Sequence, residues 1–135
     1  MRSILLVSAV LLAAAIVGFL SRKNSGKFRA KKKAQPAVLS SEIAHELGSQ
    51  ATLLQFSSAF CAPCRATRLT LETVVPQFSG IKHIEIDAES HLELVRKLDI
   101  RQTPTTVILD RNGVEIGRAV GAPKKSQVIA VLEKI

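Results

Sequence analysis

Residues 52–67, TLLQFSSAFCAPCRAT, read as a strand, a turn holding two cysteines and the start of a helix. Thr52-Leu-Leu-Gln-Phe-Ser57 is apolar on most of its length and reads as a strand buried over most of it. Cys61 and Cys64, the only two cysteines of the chain, stand three apart where that strand gives way to the helix. A sulfur at a helix N-terminus lies near N–H groups whose partial positive charge favours the thiolate and lowers a thiol pKa from ~8.5 toward ~7. Cys61 is therefore the expected nucleophile, and Cys64, one turn deeper, is placed to attack a mixed disulfide and release the product. Pro63 falls at an early helical position, where its missing N–H costs little. Three other readings compete: a stable internal disulfide, two inert thiols, or half of a zinc site. A disulfide across so short a loop adds little by chain entropy. Tetrahedral zinc needs two further ligands, and only His45, His83 and His91 are on offer, at irregular spacing. Redox chemistry is favoured and no metal is expected.

Downstream, apolar spacing through Leu69, Val74 and Phe78 predicts a helix over 65–78, with Pro76 at its frayed end and Gly80 at its exit. The β-branched, alternating residues 81–87 predict a strand. Residues 90–98 predict a helix with Leu92, Val95 and Leu98 on its inner face. Residues 105–110 and 114–120 predict a hairpin around Asn112-Gly113, since Asn-Gly suits the positive φ of a tight turn. Residues 125–135 predict a closing helix with Val128, Val131, Leu132 and Ile135 inward. Upstream, Ser40 or Ser41 is placed to cap a short helix through Leu47 that Gly48 ends. The order βαβα followed by ββα makes the fold class α/β, a central mixed sheet with helices on both faces.

The 135 residues carry a formal charge of +8. The first 35 hold eight Lys and Arg and no acid, while the remaining 100 hold eleven of each sign. The folded part is neutral, no basic groove is implied, and nucleic acid is not an expected partner. Residues 4–20, ILLVSAVLLAAAIVGFL, are uncharged and cover roughly 26 Å as a helix, enough for a membrane span. A cleaved signal fits less well, because its apolar stretch usually runs ~7–15 residues and no A-x-A site precedes the basic cluster. Seven Lys and Arg follow within 13 residues, so the positive-inside rule keeps the C-terminal side cytoplasmic, with the opposite topology as the alternative. The expected organisation is an anchor over 1–21, a basic juxtamembrane linker over 22–37 and a domain over 38–135, long enough for one core. The basic run has two readings, a solvated flank of the span or a patch that meets anionic lipid.

The segment FSSAFCAPCRAT, followed forty residues after Cys64 by Thr103-Pro104 and then by Asn112-Gly113 and Val120-Gly121-Ala122, resembles the thioredoxin family. The resemblance covers about residues 52–135. It implies thiol–disulfide exchange without any cofactor beyond the Cys61–Cys64 pair, and a cis peptide before Pro104. It further implies a substrate backbone contact at Thr103 and an apolar substrate surface lined by Phe60, Ala62, Gly121 and Ala122. Disulfide-containing proteins or small thiols would be the substrates, and an upstream dithiol reductase would recharge the pair. Departures are Phe60 where the family usually has Trp, Ala62 in place of Gly, and Leu69 in place of a kinking proline. Gln55 replaces a buried acid, which leaves His83, on the next strand, as the candidate proton carrier.

The function expected is a membrane-tethered thiol–disulfide oxidoreductase, with Cys61 as nucleophile and Cys64 as resolving thiol, that reduces protein disulfides from the cytoplasmic side. The alternatives are a redox-inactive fold that docks extended peptides at Thr103, and a thiol or metal sensor that uses the cysteines as ligands.

Overall fold

The computed structural model describes residues 2–30 and 46–135; the expected helix from Ser40 or Ser41, and the domain boundary at 37–38, lie outside them. Helix α1, Arg2–Asn24, is the apolar segment. Its stretch Ser3–Lys23, 21 residues, is long and apolar enough to cross a membrane, and none of it is buried against the rest of the chain. A three-residue strand, β1 (Phe28–Ala30), follows almost at once.

The other elements are β2 (Ala51–Ser57), α2 (Ala62–Val74) with a 3-10 turn at Val75–Gln77, β3 (Ile81–Asp87), α3 (Leu92–Lys97), β4 (Thr105–Asp110), β5 (Glu115–Val120) and α4 (Lys125–Leu132). Among the described residues the strands form one mixed sheet in the order β1-β5-β4-β2-β3. Strand β2 is central, parallel to β3 and antiparallel to β4, and all seven of its residues are buried. That burial explains its nearly continuous apolar run, since alternation is lost when both faces are covered.

Side chains of β2 alternate between two cores. Ala51 and Leu53 point toward α2 and α4, joining Leu71, Val74, Val128 and Leu132. Leu54 and Phe56 point the other way, joining Ile86, Leu94, Ile100, Val107 and Leu109 beneath α3. Gln55 and Ser57 share the face of Leu53 by the same alternation, which puts both beneath α2.

Several expectations are corrected. Helix α2 begins at Ala62 rather than after Cys64, and its buried line is Cys64, Thr67, Leu71 and Val74. Leu69 therefore faces solvent, at 62% exposure. The 3-10 turn at Pro76 ends the α-helix before Phe78, which packs on the core edge from outside it. In α3 the fully buried residue is Leu94 and Leu92, the first helical residue, is exposed, while Val95 and Leu98 pack on the core as expected. Helix α4 stops at Leu132, leaving Ile135 exposed. The hairpin loop is residues 111–113, as the expected strand bounds leave it, but of Asn112-Gly113 only Gly113 takes positive φ, 75°: Asp110 N–H donates to Val114 O, and Asp110 Oδ1 accepts from Asn112 and Val114 N–H. The aspartate side chain thereby satisfies turn amides that a tighter turn would pair with backbone.

The basic segment read as a linker contributes an edge to the sheet. Strand β1 pairs antiparallel with β5, Phe28 opposite Ala119 and Arg29 opposite Arg118. Gly26 N–H donates to Val120 O at 2.6 Å, joining the exit of α1 to the end of β5.

Candidate active site

The register brings four loops to one end of the sheet. Phe56 lies opposite Thr105, Thr105 opposite Val120, and Ala119 opposite Phe28. The turn after β2, the loop before β4, the loop after β5 and the exit of α1 therefore meet there. Phe60 stands in the left-handed region at φ 58° and is fully exposed. A non-glycine residue pays roughly 1–2 kcal/mol for that conformation, and the exposed ring recovers none of it by packing. Phe60→Gly is accordingly expected to raise stability by up to about 1 kcal/mol, seen as a higher Tm. If the ring touches substrate, the same variant raises KM, so stability and activity move in opposite directions.

Cys61 caps α2. Its Sγ accepts a hydrogen bond from Cys64 N–H at 3.2 Å, so the helix terminus points a donor at the sulfur. The two sulfurs form a disulfide, with Cα atoms 5.2 Å apart. Cys61 is half-buried, whereas Cys64 is only 2% exposed and lies on the inner face of α2. A reagent from solvent thus meets Cys61 first.

Thr103-Pro104 is cis, as the resemblance implied. Pro104 is buried, and Thr103 Oγ1 lies 2.9 Å from Ser58 Oγ, which ties this loop to the cysteine turn. Gly121 N–H donates to Pro104 O at 2.8 Å. Of the residues expected to line an apolar surface, Phe60, Ala62 and Ala122 are exposed. Gly121 is buried, at φ 89°, with Ser25 so near that a Cβ would strike its Oγ. The exit of α1 covers that part of the rim.

Beneath the disulfide runs a polar network that sequence reading found only in part. Gln55 Nε2 donates to Cys64 O at 3.0 Å and to Ser57 Oγ at 2.9 Å. Ser57 Oγ donates to Glu85 Oε1 at 2.7 Å, and Arg68 Nη1 pairs with Glu85 Oε2 at 3.2 Å. With its amide nitrogen committed, Gln55 turns Oε1 to His83 Nε2, 3.1 Å away. An oxygen there accepts, so His83 carries its proton on Nε2 and, when neutral, keeps Nδ1 as its basic nitrogen. Ser57, Glu85 and Arg68 gave no signal in the sequence, because 28 residues separate Ser57 from Glu85 and only the parallel register joins them.

Burial lowers the His83 pKa from its ordinary value of 6.5; Glu85 and then Glu72 oppose that shift, and Arg68 reinforces it. The folded state thus binds the proton less readily than the unfolded chain. Stability is full above about pH 6.5 and is lost as pH falls from there through the lower folded value. His83→Gln is expected to flatten this slope. Tm recorded at about pH 7.5 and about pH 5 checks it; equal slopes in both proteins would mean that His83 titrates as it does in water.

The profile of the thioredoxin family matches residues 31–134. A thioredoxin of Mycoplasma genitalium is 29% identical over 77 residues, 57% of this chain and 74% of the relative. One from Chlamydia trachomatis is 26% identical over 98 residues, 72% of this chain and 95% of the relative. Among solved structures, oxidised thioredoxin from Plasmodium falciparum superposes with a TM-score of 0.60 at 20% identity, covering 71% of this chain and 91% of that one. Spinach chloroplast thioredoxin f gives a TM-score of 0.60 at 23% identity, covering 74% and 88%. At those identities the superpositions speak for the fold alone.

Proposed function

The chain belongs to the thioredoxin family and carries its Cys61–Cys64 disulfide, and on that premise we propose that it is a membrane-tethered reductase of protein disulfides. The observation that carries the reading is the position of Cys61, a helix-capping sulfur at the solvent edge with its partner sulfur buried behind it. Cys61 thiolate attacks a substrate disulfide, forming a mixed disulfide and expelling one substrate thiolate. Cys64 thiolate then attacks the Cys61 sulfur, the second substrate thiolate leaves, and the pair ends as its own disulfide. Two electrons pass to the substrate, and an upstream dithiol reductase supplies two more to the pair, its own dithiol becoming the disulfide; no cofactor takes part beyond the Cys61–Cys64 pair. Thr103 and Pro104, with Phe60, Ala62 and Ala122, present the surface on which an extended substrate lies. Resolution requires Cys64 to give up a proton, and neutral His83 takes it up on Nδ1 by way of water, while Gln55 holds the ring by accepting from Nε2–H.

The apolar helix α1 supports the tether, and the basic residues after it support a domain on the cytoplasmic side. A reporter fused after Ile135 that is active only outside the cell would reverse that side. The activity itself is tested with the full chain in mild detergent, given insulin and excess dithiothreitol. Insulin reduction well above the dithiothreitol background is expected. A rate equal to background would leave the redox-inactive, peptide-docking alternative.

A further inference from the structure

Where α1 meets the sheet edge, an open cavity of about 900 Å³ is lined by Val17 and Leu20 from the membrane helix and by Arg22, Lys27, Arg29 and Arg118. No Asp or Glu lines it among the described residues. Its two ends differ in chemistry. Val17 and Leu20 belong to the apolar run, and Arg22 follows Val17 by five residues, about 7.5 Å of helix rise. That distance is about the thickness of one polar headgroup layer, roughly 5–7.5 Å on each side of the hydrocarbon core. In the tethered orientation, which this inference takes from the proposed function, the apolar end meets acyl chain and the basic end lies at headgroup level.

The sheet edge supplies a second observation. Arg29 on β1 and Arg118 on β5 are direct cross-strand partners, and both line the cavity. Like charges placed so are unfavourable without something between them. Arg118 is held by Glu115 at 2.6 Å, so the carboxylate nearest this pair of arginines is already engaged by Arg118, and the residue opposite Arg29 in the register is a cation. We propose that the cavity binds a phosphate group, presented by an anionic phospholipid of the surrounding leaflet, with Arg29 and Arg22 as its principal cations. A bound headgroup at this place would hold the domain with its cysteine end toward the bilayer, because β1 and the cysteine turn share one end of the sheet.

The test uses the full chain, reconstituted in vesicles of phosphatidylcholine with about one-fifth phosphatidylglycerol, then released in mild detergent with retained lipid counted by mass spectrometry. Flotation with vesicles of phosphatidylcholine alone first reports whether the chain enters a membrane at all. The wild type should retain phosphatidylglycerol in preference to phosphatidylcholine. Each cation removed should weaken retention about fivefold, so Arg22→Gln loses that much and Arg29→Glu, which reverses a charge, loses more. Lys23→Glu makes the same charge change next to Arg22 but outside the cavity, so it acts only through the surface potential that salt screens and should lose clearly less than Arg29→Glu. Arg29→Glu should also raise Tm, since it sets a carboxylate opposite Arg118. Equal losses in Lys23→Glu and Arg29→Glu would reveal a diffuse basic surface and overturn the site. Displacement of the lipid by millimolar inorganic phosphate would assign the cavity to a free anion and overturn the lipid. Failure to float with neutral vesicles would remove the tether and the lipid together, whereas flotation without selective retention would remove the site alone.

Discussion

Cys61→Ser is expected to abolish disulfide reduction, while Cys64→Ser keeps the first step and stalls at the second. The asymmetry follows from position: Cys61 is the capping sulfur that solvent reaches, and Cys64 is nearly enclosed on the inner face of α2. In Cys64→Ser the Cys61 thiolate still attacks a substrate disulfide, but a serine hydroxyl cannot displace the mixed disulfide, so the covalent adduct accumulates. Non-reducing electrophoresis of each variant after mixing with insulin should show the adduct with Cys64→Ser and none with Cys61→Ser. An adduct formed by Cys61→Ser instead would exchange the roles of the two sulfurs. Insulin reduction should drop to the dithiothreitol background in both.

The second large effect lies at the far end of the sheet. Glu115 is 2% exposed and is held by Arg118, Nε to Oε1 at 2.6 Å and Nη2 to Oε2 at 2.8 Å, while the same Nη2 reaches Leu98 O at 2.9 Å. The hydrogen bond from Arg118 to Glu115 is the chief reason the guanidinium holds its proton more firmly than usual. Arg118→Ala leaves a buried carboxylate with its main counter-charge gone, a change that costs about 3–5 kcal/mol. For a domain of this size that is a Tm fall of at least about 10 °C. Replacing both partners, Glu115→Leu with Arg118→Met, should recover most of the loss, since two apolar side chains need no counter-charge. Chemical denaturation of the single and double variants measures both. A small effect of Arg118→Ala would mean that water reaches Glu115.

The central strand, the cysteine turn and the succession of elements around them were legible in residues 52–67 and their surroundings, because burial on both faces, helix capping and turn formation depend on near neighbours in the chain. Local spacing also placed β3, β4 and α2 to within a few residues. It erred at the ends of α3 and α4, where Leu94 rather than Leu92 is buried and Ile135 is exposed, while Val95, Leu98, Val128, Val131 and Leu132 pack inward as expected. A short helix does not repeat its spacing often enough to mark where its buried face ends.

Other features were settled only by strands meeting across long separations. The parallel register of β2 and β3 sets Gln55 beside Glu85 and brings His83, Ser57 and Arg68 into one network under Cys64. A residue shift between Ile108 and Leu109 leaves Ile116 without a partner on β4, so Glu115 and Arg118 fall on the same side and can pair. In an unbroken strand their spacing of three would put them on opposite faces. Residues 28–30 read as part of a charged linker because Phe28-Arg-Ala30 has neither the length nor the alternation of a strand. Their backbone groups became a strand by pairing with the free edge of β5, an interaction that any side chains can make and that no local pattern records.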